Sequence, residues 1–348
     1  MSLSKKSSNN FVFSQHGDLM GELKYLNEIK NSDRSPDEKK RVIADMRTAG
    51  KKYGFTFREY MLYDFEHRTP EEQFEFISDE ERIDIADRLN TDRSKEILGD
   101  KFKTYEVFSE FFNRDLCMVH AGEFDKARSF ISRHSGFVAK ALDDFGGFGI
   151  FVCKPGEAGS SDLVTHELFK RFPDGFLIEE YLINRPEFAA FHPASLNTIR
   201  IPTVRFDDRI ELCHPFVRIG SGGAVVDNAS SGGIMGAIDP ETGVIFAAAD
   251  ENGGFYDNHP DTGIPIVGFE IPDWDKAVCL AKKLATVLDG QRYCGWDIAP
   301  TDKGYLMVEG NAGGMFVWQI PEQKGFRPEA SAIIRELGVE YPAELMIP

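Results

Sequence analysis

Between residues 35 and 98 apolar positions recur at helical spacing and are punctuated by a repeated start signal. Ser35-Pro36-Asp37-Glu38, Thr56-Phe57-Arg58-Glu59, Thr69-Pro70-Glu71-Glu72 and Ser78-Asp79-Glu80-Glu81 each set a hydroxyl three residues ahead of a Glu. In that arrangement the hydroxyl and the carboxylate each satisfy a backbone N–H left open at a helix N-terminus. Two of the four also carry Pro at the first helical position, where the missing N–H costs nothing. The first of these helices is predicted to run to Gly50. Tyr60, Met61, Tyr63 and Phe65, then Phe74, Phe76 and Ile77, then Ile83, Ile85 and Leu89 supply faces for mutual packing. Residues 1–98 are therefore expected to form a helical lobe, without the Gly-rich strand–turn–helix of a Rossmann unit.

From about residue 99 the texture changes. An amphipathic helix opens at Asp100, and strands are predicted at Phe137–Leu142, Ile150–Cys153 and Phe176–Ile183. The turn between the first two carries Gly146, Gly147 and Gly149, whose bare backbone can approach a ligand closely; a flexible surface turn has the same composition. Further strands are expected at Thr198–Phe206, Ile210–Ile219, Ile234–Ile238 and Val244–Ala249, followed by a helix Trp274–Leu288 with Asp273 as N-cap. Two apolar runs, Cys294–Ala299 and Tyr305–Asn311, flank a Lys-Gly turn and predict a β-hairpin; Ile333, Ile334 and Leu337 mark a closing helix. The pattern is α+β, divided at 99–183 and 184–348 after the helical lobe.

Length and charge narrow the function. A chain of 348 residues can bury a sizeable core, and its 29 Phe are first of all core. The net charge of −17 excludes non-specific binding to nucleic acid or to a membrane surface, so an anionic ligand requires a local basic pocket. Five Cys without a CxxC pair indicate reduced core thiols in a cytoplasmic protein, with neither a disulfide framework nor a zinc site. No apolar run approaches membrane-spanning length, and the first residues lack the apolar core of a secretory signal.

The hairpin carries the sharpest chemistry. Glu309 and Asn311 are two apart on one strand and share a face, and Asp297 on the partner strand can join them. Three hard oxygen donors on a rigid unit suit Mg²⁺ held together with substrate phosphates, although acids facing water leave the same signature. Lys140 interrupts an apolar strand beside the Gly-rich turn; it fits either a phosphate or the solvent face of an edge strand. Arg200 and Arg218 likewise interrupt apolar strands, and each fork suits a phosphate or a structural carboxylate. Glu179, Glu180 and Glu187 lie near the end of a strand that can present itself to a purine and its ribose, or they are ordinary surface acids. Arg205, His214, Asn228, Ser230, His259 and Asp261 fall in or near polar loops suited to substrate contact.

In their order, Val138-Ala139-Lys140, Gly146-Gly147-Phe148-Gly149, Leu177-Ile178-Glu179-Glu180-Tyr181 and Trp296-Asp297…Glu309-Gly310-Asn311 resemble the ATP-grasp superfamily over roughly residues 99–320. Ser195–Arg200, Val217–Gly220, His259–Gly263 and Gly295–Ala299, with the helical first lobe, resemble more narrowly the sugar-transfer-associated ATP-grasp group of bacterial polysaccharide gene clusters. The resemblance implies two α+β lobes clamping ATP behind a helical lobe. It implies Lys101 and Lys140 on the ATP phosphates, with Lys103 a rival for the first, and Gly146, Gly147 and Gly149 as a lid. It implies Glu179, Glu180, Tyr181 and Leu182 along the adenine, Glu187 on the ribose, and Asp297, Glu309 and Asn311 holding Mg²⁺. Arg200 and Arg218, with Lys140, would steady the γ-phosphate and the developing charge. The implied activity is an ATP- and Mg²⁺-dependent carboxylate–amine ligase working through an acyl phosphate on small-molecule or sugar substrates. The alternative on the same fold is a phosphotransferase; a nucleotide-binding module without turnover fits less well, because Lys140, Asp297, Glu309 and Asn311 are all intact. No protein nucleophile is required, in keeping with the lack of a Ser/His/Asp or Cys/His arrangement.

Overall fold

The computed structural model describes residues 15–142, 149–157, 159–223, 227, 232–314 and 318–347, with side chains from residue 22 onward. The Ser35, Thr56 and Thr69 signals each close a reciprocal capping box, opening helices Pro36–Tyr53, Phe57–Leu62 and Pro70–Phe74. The fourth is half made: Ser78 accepts from the Glu81 N–H, but the Glu81 carboxylate turns away to Arg327 and Tyr341. Helix Pro36–Tyr53 runs past the predicted end at Gly50. Gly54, at φ 76°, takes the left-handed conformation that closes it and donates its N–H to Gly50 O. The helical residues share one apolar core with Val204, Phe206 and Phe216 of the large sheet and with Trp318, Phe326 and Ile334 near the C-terminus.

A four-stranded antiparallel sheet follows: β1 (Leu116–His120), β2 (Phe137–Ala141), β3 (Ile150–Cys153) and β4 (Gly175–Glu180), in the order β1-β4-β2-β3. Helices Phe124–Arg133 and Ser161–Arg171 cover one face, with Ala127, Phe130, Ile131 and Leu168 packed among Phe137, Ala139, Phe176 and Ile178. The period of two therefore sends Lys140 and Glu179 to the opposite face.

The second sheet comprises β5 (Thr198–Arg205), β6 (Ile210–Leu212), β7 (Phe216–Ile219), β8 (Ile234–Ile238), β9 (Ile245–Asp250), β10 (Tyr293–Thr301) and β11 (Gly304–Asn311). Its order is β11-β10-β5-β7-β8-β9, with β6 paired to β5. Ile199, Ile201, Val217, Trp296, Ile298 and Met307 form one face, packed on helix Trp274–Val287. Asp273 does not cap that helix. It sits at φ 55°, and its carboxylate pairs with Lys276 and Arg185 instead. The single strand expected over Ile210–Ile219 is broken, because His214 is left-handed at φ 48° and Pro215 follows it.

That break has its own anchor. The His214 ring stacks on Trp318 with centroids 3.7 Å apart, and its nitrogens lie 2.9 Å from Glu322 and 2.6 Å from Glu329. Burial pushes the imidazole pKa down, but the hydrogen bonds to Glu322 and Glu329 outweigh it and leave it raised. Burial likewise pushes Glu329 up, while His214 and Lys324 overcome this and hold it at about 2. The Glu329 contribution is present above its unfolded pKa of 4.5 and is lost only as pH falls toward about 2. The His214 contribution is complete below its unfolded value of 6.5 and is lost as pH rises through the raised folded value. Urea titrations at pH 6 and pH 9 should therefore show an alkaline loss of stability in the wild type that is smaller in His214→Asn, a side chain that tolerates positive φ.

Candidate active site

Strand pairing assembles a row of charges on the face of the large sheet opposite helix Trp274–Val287. Asp297 on β10 is the direct partner of Arg200 on β5 and of Glu309 on β11, and Thr198 on β5 is the partner of Arg218 on β7. Arg200 grips the Asp297 carboxylate with a two-toothed fork: its Nε donates to Oδ1, and its Nη2 donates to Oδ2 at 2.7 Å. Arg218 Nη2 lies 2.9 Å from the same Oδ2, and its Nε lies 3.6 Å from Asp227. Burial pushes the Asp297 pKa up, but the two guanidiniums outweigh it and hold it low. At Asp227 burial prevails and its carboxyl is raised. Gly295 is required where the guanidinium crosses the strand, since a Cβ there would lie 2.8 Å from Arg200 Cδ.

Next to this row stand Glu309, exposed, and Asn311. With its amide turned so that Oδ1 accepts from Arg200 Nη2 at 3.2 Å, Asn311 donates to Glu309 Oε1 at 3.1 Å. A register shift between Asp297 and Ile298 leaves Val308 as the extra residue of a bulge and turns the end of β11.

On the four-stranded sheet, Lys140 is ion-paired with Glu179. The other Glu179 oxygen accepts from Arg114 Nε and Nη2 at 2.8 and 2.7 Å. Burial pushes Glu179 up, but Arg114 and Lys140 overcome this and hold its pKa at about 2. Glu179 is thus an ionised counterion that fixes Lys140 on the open face of the sheet. Lys101 starts helix Lys101–Phe112 and donates to Ala141 O at 3.2 Å, beside the Gly-rich turn. Lys103 instead turns to Glu96 and Asp100 at the surface. Gly149 has φ 71°, whereas Gly146 and Gly147 lie outside the described residues.

Other expected residues are distributed differently. Leu182 packs on Ala299 and Leu306, beneath the crossing between the lobes, and Tyr181 N donates to Gly136 O. Glu180 pairs with Lys303 at 2.9 Å. Glu187 is not brought into the charged row. It pairs with Arg185, which reaches Asp273 at the start of the helix on the far face of the sheet. Arg205 bonds the helix carbonyl Ala285 O at 3.5 Å. Asn228 and Ser230 lie outside the described residues. An open groove of about 900 Å³ along that far-face helix, lined by Trp274, Cys279 and Lys282, contains none of the charged-row residues.

The loop motifs converge on a polar hub whose centre, Asn197, Ser195, His192 and His259, is buried. The Asn197 side chain accepts from Gly220 N and Ser195 Oγ and donates to Phe188 O and His192 O. His259 donates from Nε2 to Gly220 O at 2.8 Å and accepts the Asp261 N–H at Nδ1. Asp261 then receives the Gly222 N–H at 2.7 Å. These groups fix the backbone at Gly220 and Gly222, and Asp227 meets Arg218 and Thr198.

Two carboxylates and an amide within this row make a hard-oxygen donor set suited to Mg²⁺. Arg200 Nη1 is buried and without a hydrogen-bond partner among the described residues, a donor suited to an anion at the same place. Lys140 on one sheet with Lys101 reaching it from a helix start, and an acid–guanidinium row on the other sheet, fit a two-lobed clamp of the ATP-grasp class. The chain belongs to the sugar-transfer associated ATP-grasp family, whose profile matches residues 80–335. No match to a curated protein reaches significance.

Similar solved structures include an ADP complex of N5-carboxyaminoimidazole ribonucleotide synthetase (11% identity, 64% of this chain and 46% of that one, TM-score 0.42). Another is the ATP-grasp ligase PsnB with a phosphomimetic variant of its minimal precursor, Mg and ADP (14%, 71% and 62%, TM-score 0.43). A third is N5-carboxyaminoimidazole synthetase from Staphylococcus aureus with ADP (12%, 77% and 60%, TM-score 0.45). The chain spans 46% to 62% of the length of these three. Among the described residues no helix is long and apolar enough to cross a membrane.

Proposed function

We propose that the protein is an ATP- and Mg²⁺-dependent carboxylate–amine ligase that joins an amino acid or similar group to a sugar or small-molecule precursor. The observation that carries this reading is the buried Arg200–Asp297–Arg218 row with Glu309 and Asn311 beside it. Lys101 and Lys140 would bind phosphate oxygens, with Glu179 holding Lys140 in place. The strand end Glu179–Leu182 would lie along the adenine. Glu309, Asn311 and the remaining lone pair of Asp297 Oδ1 would hold Mg²⁺. When bound, the ion would screen the charge of the phosphates.

The γ-phosphate would lie beside Arg200 and Arg218, whose guanidiniums Asp297 already fixes in place, so that they need no rearrangement as charge builds. An acceptor carboxylate attacks the γ-phosphorus, releasing ADP and leaving an acyl phosphate. An amine then attacks the acyl carbon, an amide forms, and inorganic phosphate leaves. Asp227, kept less ionised by burial, lies beside Arg218. The protein contributes positioning and charge, and none of its own nucleophiles takes part.

A pooled screen of carboxylates and amines, scored for ADP and for new product mass, tests the reading. A ligase yields a condensed product and free phosphate only when both classes are present. Phosphate retained on a single acceptor would make the protein a kinase.

A further inference from the structure

Among the described residues, Arg114 is a buried arginine that joins the two sheets, from Glu179 on β4 to Met307 on β11, and is itself assigned no contact with the ligand above. Its side chain is 1% exposed. Two of its nitrogens hold Glu179 at 2.8 and 2.7 Å, and the third, Nη1, donates to Met307 O at 2.7 Å. Its guanidinium carbon also sits 4.7 Å from the centre of the Phe112 ring, and Nη1 reaches Phe112 O at 3.3 Å. Met307 lies on β11, the edge strand of the large sheet, immediately before Val308, the extra residue of the bulge. The bulge decides which way Glu309 faces, because a one-residue offset turns every later side chain to the other side of a strand. A continuous chain of contacts therefore runs from Lys140 through Glu179 and Arg114 to the carbonyl beside the bulge.

We propose that Arg114 is a positioning residue that couples the Lys140–Glu179 pair to the Glu309–Asn311 end of β11, so that nucleotide and divalent cation bind cooperatively. The inference rests on the nucleotide reading above. The role requires a fork. Only a guanidinium presents separate donors in fixed directions to a carboxylate and to a carbonyl, whereas an ammonium on a flexible stem serves one of them at a time.

The test is Arg114→Lys, which keeps the charge beside Glu179 and gives up the second arm. ADP affinity is measured by titration calorimetry with and without Mg²⁺, and the melting temperature is recorded. The wild type should bind ADP more tightly with Mg²⁺. Arg114→Lys should bind metal-free ADP within about 2-fold of wild type and lose about 10-fold of the Mg²⁺ enhancement, a coupling of the usual size between sites. A variant that melts lower but keeps the full enhancement would make Arg114 merely structural and overturn the proposal. If Arg114→Lys does not fold, hydrogen exchange of the wild type decides. ADP added without metal should slow exchange at Val308–Asn311, and unchanged exchange there would overturn the coupling. A wild type that binds ADP with no Mg²⁺ enhancement removes the coupling alone, while one that binds no ADP in either buffer removes the nucleotide reading as well.

Discussion

Glu309→Gln is expected to lower Mg²⁺-dependent ATP turnover at least about 100-fold while the melting temperature stays within about 2 °C of wild type. Asp297→Ala is expected to lose turnover and about 3–5 kcal/mol of stability together. The two acids face each other across the hairpin, yet their surroundings are opposite. Glu309 is exposed, and exchanging its carboxylate for an amide removes a charge without opening a cavity or stranding a buried partner. Asp297 is 2% exposed and carries the forks of Arg200 and Arg218. Removing it leaves two guanidiniums, one of them 3% exposed, without their counterion. An uncompensated buried charge is what makes breaking one side of such a pair costly. Melting curves and ADP release measured on both variants check the contrast; equal stability in the two would remove the structural role assigned to Asp297.

Arg327→Met should cost a further measure of stability, about 3–5 kcal/mol in urea titration, with no direct contact to the charged cleft. Arg327 is 1% exposed and opens the C-terminal helix Arg327–Glu336. Its guanidinium pairs with Glu81 through two nitrogens and donates to the carbonyls of Phe74, Phe76 and Leu345. Tyr341 adds a 2.9 Å bond to the same Glu81. The substitution strands a buried carboxylate and three carbonyls where the helical lobe meets the end of the chain. For a protein whose whole stability is about 5–15 kcal/mol, such a loss is large. Pairing it with Glu81→Gln should recover part of the loss, because the orphaned charge is then gone. A cost under about 1 kcal/mol for Arg327→Met would show that this junction is held by apolar packing alone.

What was legible in the sequence was local. Ser35, Thr56 and Thr69 cap their helices as their spacing predicts, because hydroxyl and Glu lie three residues apart and need nothing from elsewhere. Ser78 departs from the pattern because a stronger partner for Glu81 lies 246 residues away in the chain. Asp297, Glu309 and Asn311 could be grouped because one short turn sets the hairpin register. That Asp297 also faces Arg200 depends on β10 pairing with β5, which no local pattern states. Arg114 was hidden for the same reason: Asn113-Arg114-Asp115 reads as a polar turn, and its partners sit 65 and 193 residues further on. Strand β1 and helix Phe124–Arg133 carry no clear local signal, because the strand is short and the helix begins without a side-chain cap. Glu187 follows a strand that can present itself to a ribose, but its neighbour Arg185 pairs with it and reaches Asp273 instead.

The central claim is that phosphate leaves ATP by way of a substrate carboxylate, and the fate of one oxygen tests it. A pool of carboxylates labelled with ¹⁸O in the carboxyl group is incubated with ATP, Mg²⁺, mixed amines and the protein, and the released phosphate is weighed by mass spectrometry. One labelled oxygen per phosphate, together with a new amide, is the result this account predicts. Unlabelled phosphate, or a phosphoryl group that stays on an acceptor, would contradict it.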